Sequence, residues 1–465
     1  MKPLILVFVF ISVFAYSQTL SPIYPASGFS GSAFGKRVVL DENNHLFATT
    51  QNTTFNAQKG KIYRFDCTSG NVVQTNFYDI PTLTAEDDFA YSIDVNQNFV
   101  VAGAPSKDGS VANAGSVYVF ENSTTGTLIQ TLTALNSIAE DHFGKNIHIL
   151  GNFLFVSQVS SLSGNAGSVY VYQFNGTTYN YIQQITAPGT PYFGSKIWTH
   201  NNRIFIGTGI SYYTSGDFQS LKAFDWNGNT WVENAAFHFT NTSANMIKDF
   251  AFHNDKLLVL TNDYSANYLT SFEHNGMGWT NSTTMNLNYG DSIVNGLKIE
   301  GDIMVIGTNN YTLQTERKFP LRIYHYSNNT WNHTSTLYGQ GTDFQDDAFG
   351  SALAINSSGL GIGAPLENNP SPYDGKAYYI PFSSLGNRTF SSATLVIAPN
   401  PAHDFIQLPA DFSCQNLTLY DASGKSLSFT NENGFIPIAH LESGMYLLQA
   451  TDKNGAIFTT KFLKN

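Results

Sequence analysis

Carboxylates are the most concentrated chemistry in this chain. Glu86, Asp87 and Asp88 stand just before Phe89-Ala90, Glu140 and Asp141 just before Phe143-Gly144, and Asp346 and Asp347 just before Phe349-Gly350. Brought together from separate segments, such groups hold a cation or an amino-bearing ligand. They also have a plainer use, in which each Asp bonds its own backbone and sets the turn into the next strand. The plainer reading is preferred, because only three segments carry the cluster and repeats copy turn chemistry faithfully. With Asp108, Tyr212, Tyr213 and Tyr373, which fall in long loops of the same region, Asp87, Asp88, Asp141, Asp346 and Asp347 form the candidate binding set.

Other chemistry is sparse. The 11 histidines are scattered, without H-x-H or H-E-x-x-H, so no metal ligand is assigned. His200 and His253 precede Asn201-Asn202 and Asn254-Asp255 at matching places, which makes them repeat positions before anything else. No G-x-S-x-G elbow occurs. A sialidase Asp-box is approached at Gly228-Asn229-Thr230-Trp231 but has Trp226 and Phe224 where Asp and Ser belong. Gly103, Gly207, Gly307 and Gly363 are read as sites of close packing near an axis; no helix follows them to make a phosphate cradle. No catalytic residue and no cofactor is assigned, and the chain is expected not to be an enzyme.

The residues above must be positioned by strands. The phrase Phe34-Gly35 restarts at Phe89-Ala90, Phe143-Gly144, Phe193-Gly194, Met246-Ile247, Ile293-Val294 and Phe349-Gly350, at spacings of 55, 54, 50, 53, 47 and 56 residues. A period near fifty with only strand-like content marks a propeller or an array. Each unit reads as four short β-branched and aromatic runs bounded by Gly, Asn, Ser and Pro. Asn227-Gly228, Asn275-Gly276 and Asn328-Asn329 are expected to be tight primed turns, each followed by Trp231, Trp279 or Trp331. The last unit, from Phe349, lacks a fourth strand, and Thr19 to Pro25 can supply it. Closure by that pairing removes two exposed sheet edges. The fold expected is therefore all-β: a seven-bladed β-propeller over 18–385, closed by its N-terminal strand.

Antiparallel order puts the four-to-one and two-to-three connections on one face. That face carries the long loops Ser106 to Ala114, Val159 to Ala166, Ser211 to Phe218, Asn309 to Phe319 and Leu366 to Asp374, together with the acidic clusters. Loops on a rigid scaffold are where binding usually resides.

The segment DDFAYSIDVNQNFVVAGAPSKDGSVANAGSVYVF, from Asp87 to Phe120, resembles an FG-GAP repeat of the kind that builds the integrin α-subunit propeller; EDHFGKNIHILGNFLFVSQVSSLSGNAGSVYVY and DDAFGSALAINSSGLGIGAPLENNPSPYDGKAYYI repeat it. Many such repeats hold calcium in an Asp-x-Asp-x-Asp-Gly loop. The turns at Asp41 to His45, Asp94 to Asn98 and Asn356 to Gly359 lack those carboxylates, so no calcium is expected there.

Both ends of the chain concern export. Lys2, the apolar run Leu4 to Phe14, and Ala15 and Ser17 read as a signal peptide over 1–17, too short to span a membrane. No Cys follows it to take a lipid anchor. A polar linker over 386–394 leads into 395–465, which by its own pattern is a small Ig-like β-sandwich. This tail resembles the C-terminal sorting domain of bacterial type IX secretion through Pro399-Asn400-Pro401, Tyr420-Asp421 with Gly424-Lys425, Gly444 with Tyr446, and Lys461. The resemblance implies the type IX secretion machinery as a partner, after Sec-dependent export to the periplasm, and an extracellular or cell-surface destination.

Composition fits an exported β protein: 42% apolar, 36 Phe and 25 Tyr, but only 12% charged. A net charge of -11 without a basic stripe argues against nucleic acid. Cys67 and Cys414 lie in different domains and imply no disulfide framework. The function expected is binding or adhesion, to an unidentified protein or glycan through the long-loop face. The alternative is an extracellular glycan-degrading enzyme with carboxylates assembled across blades, and a matrix component without a discrete ligand is a third.

Overall fold

The computed structural model describes residues 20–26, 32–51, 59–69, 71–160, 166–209, 218–241, 246–262, 266–287, 293–309, 320–339, 348–367, 374–382, 397–408, 414–421, 426–431, 434–452 and 457–465. Strands make up their regular structure, apart from one 3-10 turn at Ala235–Phe237. No helix among the described residues is long and apolar enough to cross a membrane. The chain divides into two compact units, Met1–Phe382 and Ser383–Asn465.

In the larger unit the strands fall into antiparallel sheets that follow chain order. Val38–Leu40, His45–Thr50, Lys61–Asp66 and Val73–Tyr78 form one; Ser92–Val95, Phe99–Ala104, Ser116–Glu121 and Leu128–Leu132 form the next. Two more four-stranded sheets run from Phe143 to Pro191 and from Ile293 to Leu337. Ala352–Ile355, Gly359–Ala364 and Lys376–Pro381 take their fourth strand from Pro22–Ile23, with Pro22 opposite Tyr378 and Ile23 opposite Ala377. The N-terminal segment thus completes the last sheet, as the missing strand required.

One stretch departs from the expected separation. Residues between Phe193 and Asn286 form a single nine-stranded sheet, its halves joined among the described residues by the pair Phe218 and Ile247. Its first half carries a divided outer strand, Trp231–Glu233 and Phe239–Thr240, with the 3-10 turn between them. The hairpins also differ in detail. Trp226 pairs with Trp231 and His274 with Trp279, so Asn227-Gly228 and Asn275-Gly276 open four-residue loops rather than two-residue turns. In each, the Asn side chain accepts two backbone N–H groups, from Asn229 and Thr230 or from Met277 and Gly278, and this local bonding stabilises the wider loop. Asn328-Asn329 is the two-residue turn expected, with φ of 52° and 60°.

The hydrophobic core lies between sheets. Phe47, Ile62 and Tyr78 of the first sheet pack on Phe89, Val100 and Tyr118 of the second. The second packs on the third through Val101, Val117, Phe143 and Leu154, and the last returns to the first through Ala354, Ala377, Val38 and Leu46. Second strands such as Phe99–Ala104 and Gly359–Ala364 are buried at every residue, being covered on both faces, whereas Trp279–Asn286 is an outer strand and mostly exposed. First strands touch first strands around the unit, Phe193–His200 and Met246–His253 through Trp198 on Phe250 at 3.9 Å, and Ala352–Ile355 touches both Ile293–Glu300 and Val38–Leu40, so the succession closes into a ring.

The recurring phrase has two structural jobs. Its Phe is fully buried and meets an aromatic of the third strand edge-on: Phe89 on Tyr118 at 5.8 Å, Phe143 on Tyr170 at 5.4 Å, Phe349 on Tyr378 at 5.4 Å. The fourth residue of the phrase reaches the next first strand. Arg37 Nε donates to Tyr91 O at 2.9 Å, Ser92 Oγ to Gly144 O at 2.7 Å, Asn146 Nδ2 to Gly194 O at 2.9 Å and Lys196 Nζ to Lys248 O at 3.2 Å. Asp249 Oδ2 continues the series by accepting from Leu297 N at 3.0 Å.

The smaller unit has two sheets, Phe405–Gln407 with Phe435–Pro437, and Ser426–Leu427, Cys414–Tyr420, Gly444–Asp452 and Ile457–Lys464. They share a core that includes Ile406, Leu419, Ile436, Leu448 and Phe462. Ile457–Lys464 is an edge strand, and Asn400 covers part of that edge. Its amide nitrogen donates to Lys461 O at 3.0 Å and its oxygen accepts from Leu463 N at 3.0 Å, as a neighbouring strand would. Tyr446 donates to Glu442 O and stacks on Phe462 at 5.6 Å. Asn400→Ala is expected to weaken this edge by about 1 kcal/mol, read as roughly fivefold faster hydrogen exchange at the Leu463 amide. Unchanged exchange there would show that Asn400 does not guard the edge.

Candidate functional site

The described part of the long-loop face centres on 84–91, 105–115 and 138–146. Three backbone bonds tie the 105–115 loop to the next unit: Glu140 N to Ala112 O, His142 N to Asn113 O and Phe143 N to Ala114 O. The loop is therefore held on both sides before any ligand arrives.

Within it the acidic residues divide. Asp87 is buried and accepts from Thr84 N at 2.6 Å and Thr84 Oγ1 at 3.0 Å, with Lys107 Nζ at 3.6 Å. Asp141, also buried, takes Ile138 N at 2.6 Å, the same three-residue reach one repeat later. Both set the turn into their first strands, the plainer of the two roles. Asp88 accepts from Ser106 Oγ at 2.7 Å and Asp108 from Asn113 N at 2.9 Å. No group of three or more His, Cys, Asp or Glu side chains among the described residues could hold a metal ion. Tyr212, Tyr213, Asp346, Asp347 and Tyr373 lie outside the described residues, as do most of four of the long loops, the leader, the linker and Gly424-Lys425.

His142 links the two turns, with Nδ1 3.2 Å from Pro105 O and Nε2 3.2 Å from Glu140. Burial and then the Lys145 charge hold its pKa below the usual histidine range, with Glu140 opposing. His200, stacked flat on Phe252 at 4.2 Å, and His238 and His333 are also lowered, each first by burial. The unfolded chain therefore binds more protons than the folded one below about pH 6.5. Their contribution is fully present above that pH and is lost as pH falls through the lower folded values. The denaturation midpoint is expected to be lower at about pH 5.5 than at about pH 7.5, and equal midpoints would contradict the neutral histidines.

Sequence reasoning passed over a second set, on the inner strands beneath this face. Lys36, Tyr91 and Lys145 occupy the third position of the phrase in consecutive units, and Lys248 does so two units on. The Arg37 guanidinium lies 5.4 Å from the centre of the Tyr91 ring and the Lys145 ammonium 4.3 Å from it. Lys36 is exposed, and its pKa is lowered by desolvation within the surrounding ring and then by the Arg37 charge. Desolvation would raise the Tyr91 phenol, but Lys145 and Arg37 outweigh it and hold it low. The signal was present as Lys and Arg recurring after Phe-Gly, visible only when the units are aligned on that phrase.

A pocket of about 350 Å³ opens at the opposite ends of the strands, lined by Glu42, Asn96, Asn98, Phe99, Asn152 and Phe174 among others. It contains one carboxylate, not the pair that glycoside hydrolysis uses.

Residues 83–120 match the family model of the FG-GAP repeat, and residues 396–465 match that of the secretion system C-terminal sorting domain. The chain thus carries an FG-GAP repeat and a type IX sorting domain, and the latter makes it an exported protein. No curated protein matches it. Among solved structures it is similar to a hypothetical selenium-binding protein from Sulfolobus tokodaii, at 9% identity and TM-score 0.48, over 91% of each chain. It is also similar to a periplasmic gluconolactonase from Pseudomonas aeruginosa, at 11% and 0.45, over 90% of this chain and 98% of that one. A candidate 6-phosphogluconolactonase from Bacteroides fragilis matches at 10% and 0.46, over 72% and 94%.

Proposed function

We propose that this chain is a binding protein of the cell surface or the extracellular medium, which recognises a protein or glycan through the long-loop face. In this reading the ring over 18–385 is a seven-bladed propeller, with the nine-stranded sheet counting as two blades, and 395–465 is an Ig-like sandwich read by the type IX machinery after Sec-dependent passage of the inner membrane. The observation that carries the reading is the 105–115 loop, fastened across two units while Asp108, Gly109 and Ser110 stay exposed. A rigid scaffold presenting loops on one face is suited to recognition. Two of the acidic residues, Asp87 and Asp141, are spent on turns.

The test is to present the secreted full-length product to glycan and matrix-protein arrays, with hydrolysis assays on the same glycans. Saturable binding without turnover is expected. Turnover without saturable binding to any array member would make the protein a glycan-degrading enzyme and overturn the proposal.

A further inference from the structure

We propose that the mouth of the ring binds an acidic group, and that the ligand is a glycan bearing carboxylate or sulfate, whose charged group enters between Lys36, Arg37 and Lys145 beside the Tyr91 ring. This deepens the reading of the long-loop face as a binding face and rests on it. The starts of three consecutive first strands deliver the site. Lys36 and Arg37 come from the first unit, Tyr91 from the second and Lys145 from the third, with both flanking cations over the Tyr91 ring at 5.4 and 4.3 Å. Lys196 and Lys248 extend it around the ring, linked by Lys196 Nζ to Lys248 O at 3.2 Å.

Charge pairing separates Lys36 from the other cations. Lys59, Arg203, Lys222, Lys256 and Lys376 each have a carboxylate within 2.9 Å. Lys36 pairs with no carboxylate among the described residues, and its principal charged neighbour is Arg37. Asp249 is paired with Lys196 and accepts from Leu297 N, and Asp88, held by Ser106, is outweighed at Tyr91 by Lys145 and Arg37. In a chain of net charge -11, such a gathering of positive groups focuses a field that draws in anions. A cation or an amino group would be repelled from the same place. The depressed Tyr91 phenol agrees, since it reports a site that favours negative charge. Their place favours a glycan over a protein partner: they stand at the starts of first strands that touch one another in a ring, and a sugar at a chain end or branch can enter between those strands where a flat protein face cannot.

The test is calorimetric titration of the full chain with a galacturonate hexamer, a heparin-derived hexasaccharide and uncharged maltohexaose, at low and high salt. One or both acidic oligomers are expected to bind, more weakly at high salt, and maltohexaose not to; the preferred oligomer identifies carboxylate or sulfate as the group. Lys36→Gln and Lys145→Gln are each expected to weaken binding about tenfold. Lys145→Gln should also move the Tyr91 phenol titration upward in ultraviolet absorbance, which places the effect at this site in a folded protein. Equal affinity for maltohexaose, no affinity for either acidic oligomer, or acidic binding unchanged in the double variant would overturn the inference. Binding of a polyglutamate peptide in place of the oligomers, lost in the same variants, would overturn the glycan assignment. A neutral-glycan or protein ligand unaffected by the variants would sink this inference and leave the binding reading standing, whereas turnover would sink that reading.

Discussion

Alanine at Gly167 is expected to destabilise the larger unit by about 3 kcal/mol, although the change adds only one methyl group. A β-carbon there would lie 1.8 Å from the carbonyl oxygen of Phe193 in the next unit. Gly60 stands in the same relation to Phe89, again at 1.8 Å. Neither glycine has a left-handed φ, so an alanine meets no backbone strain and the contact alone is tested. The atom struck is main chain on a neighbouring sheet, which cannot rotate away as a side chain could. Gly278→Ala is the control, because nothing lies within 4 Å of its β-carbon position, and its effect should stay within about 0.5 kcal/mol. Denaturant midpoints at unchanged slope give the comparison. If Gly167→Ala and Gly278→Ala unfold together, the units are not interlocked through these glycines.

The same contact explains why the repeat was legible in the sequence and where it faded. A Phe-Gly phrase recurs because the preceding unit presses glycines against its carbonyls. Gly103, Gly307 and Gly363 would place a β-carbon 2.1, 2.2 and 1.9 Å from Gly144, Gly350 and Gly35 O, which is the close packing expected of them. Gly207 does not share it; its nearest neighbour is Ser195 Oγ at 3.3 Å. The unit after Gly207 begins Met246-Ile247, and a β-branched residue replaces the glycine. At that junction the third strand of one sheet pairs with the first strand of the next at Phe218 and Ile247. A blurred phrase therefore marks a changed junction, and a single sequence shows the blur without showing what replaces the contact.

The site was less legible, for a different reason. Asp87 and Asp141 announce a turn by their place three residues after Thr84 and Ile138, so their role can be read locally. Lys36, Tyr91 and Lys145 cannot be read that way. They are separated by 55 and 54 residues, sit in apolar surroundings and form no basic run. The packing of consecutive first strands brings them together, and a charge total of -11 conceals them. Trp231 and Trp279, by contrast, follow their hairpins as expected, yet the length of each hairpin depends on backbone bonds accepted by Asn227 and Asn275 that the Asn-Gly pair does not specify.

Removing residues 20–25 should have the largest effect of any short deletion in the described chain. That segment buries Leu20 and Ile23, at 6% and 7% exposure, and pairs Pro22 and Ile23 with Tyr378 and Ala377. The two apolar side chains are worth about 2 kcal/mol each, so a loss near 4 kcal/mol is expected before any strand bonding is counted. The deletion also strips the covering strand from Lys376–Pro381 and leaves an unpaired edge, a template for pairing with another chain. Beneath it, the fully buried Glu367 carboxylate is bonded to Lys376 and Tyr378 at 2.7 Å each, and the Tyr24 phenol, its pKa raised by burial, lies against that pair. Uncovering this ion pair admits water to it and weakens the junction with the first unit, where Phe34 N bonds Asp374 O. In an open array the loss would fray one terminal sheet and leave the rest of the transition in place. In a closed ring every sheet leans on two neighbours, so the whole transition of the larger unit should move to lower denaturant and the protein should self-associate in light scattering. A peptide spanning residues 20–26, added in trans, should partly restore both. A deletion variant that stays monodisperse and unfolds with the wild-type midpoint would mean that the first and last sheets hold together without the N-terminal strand.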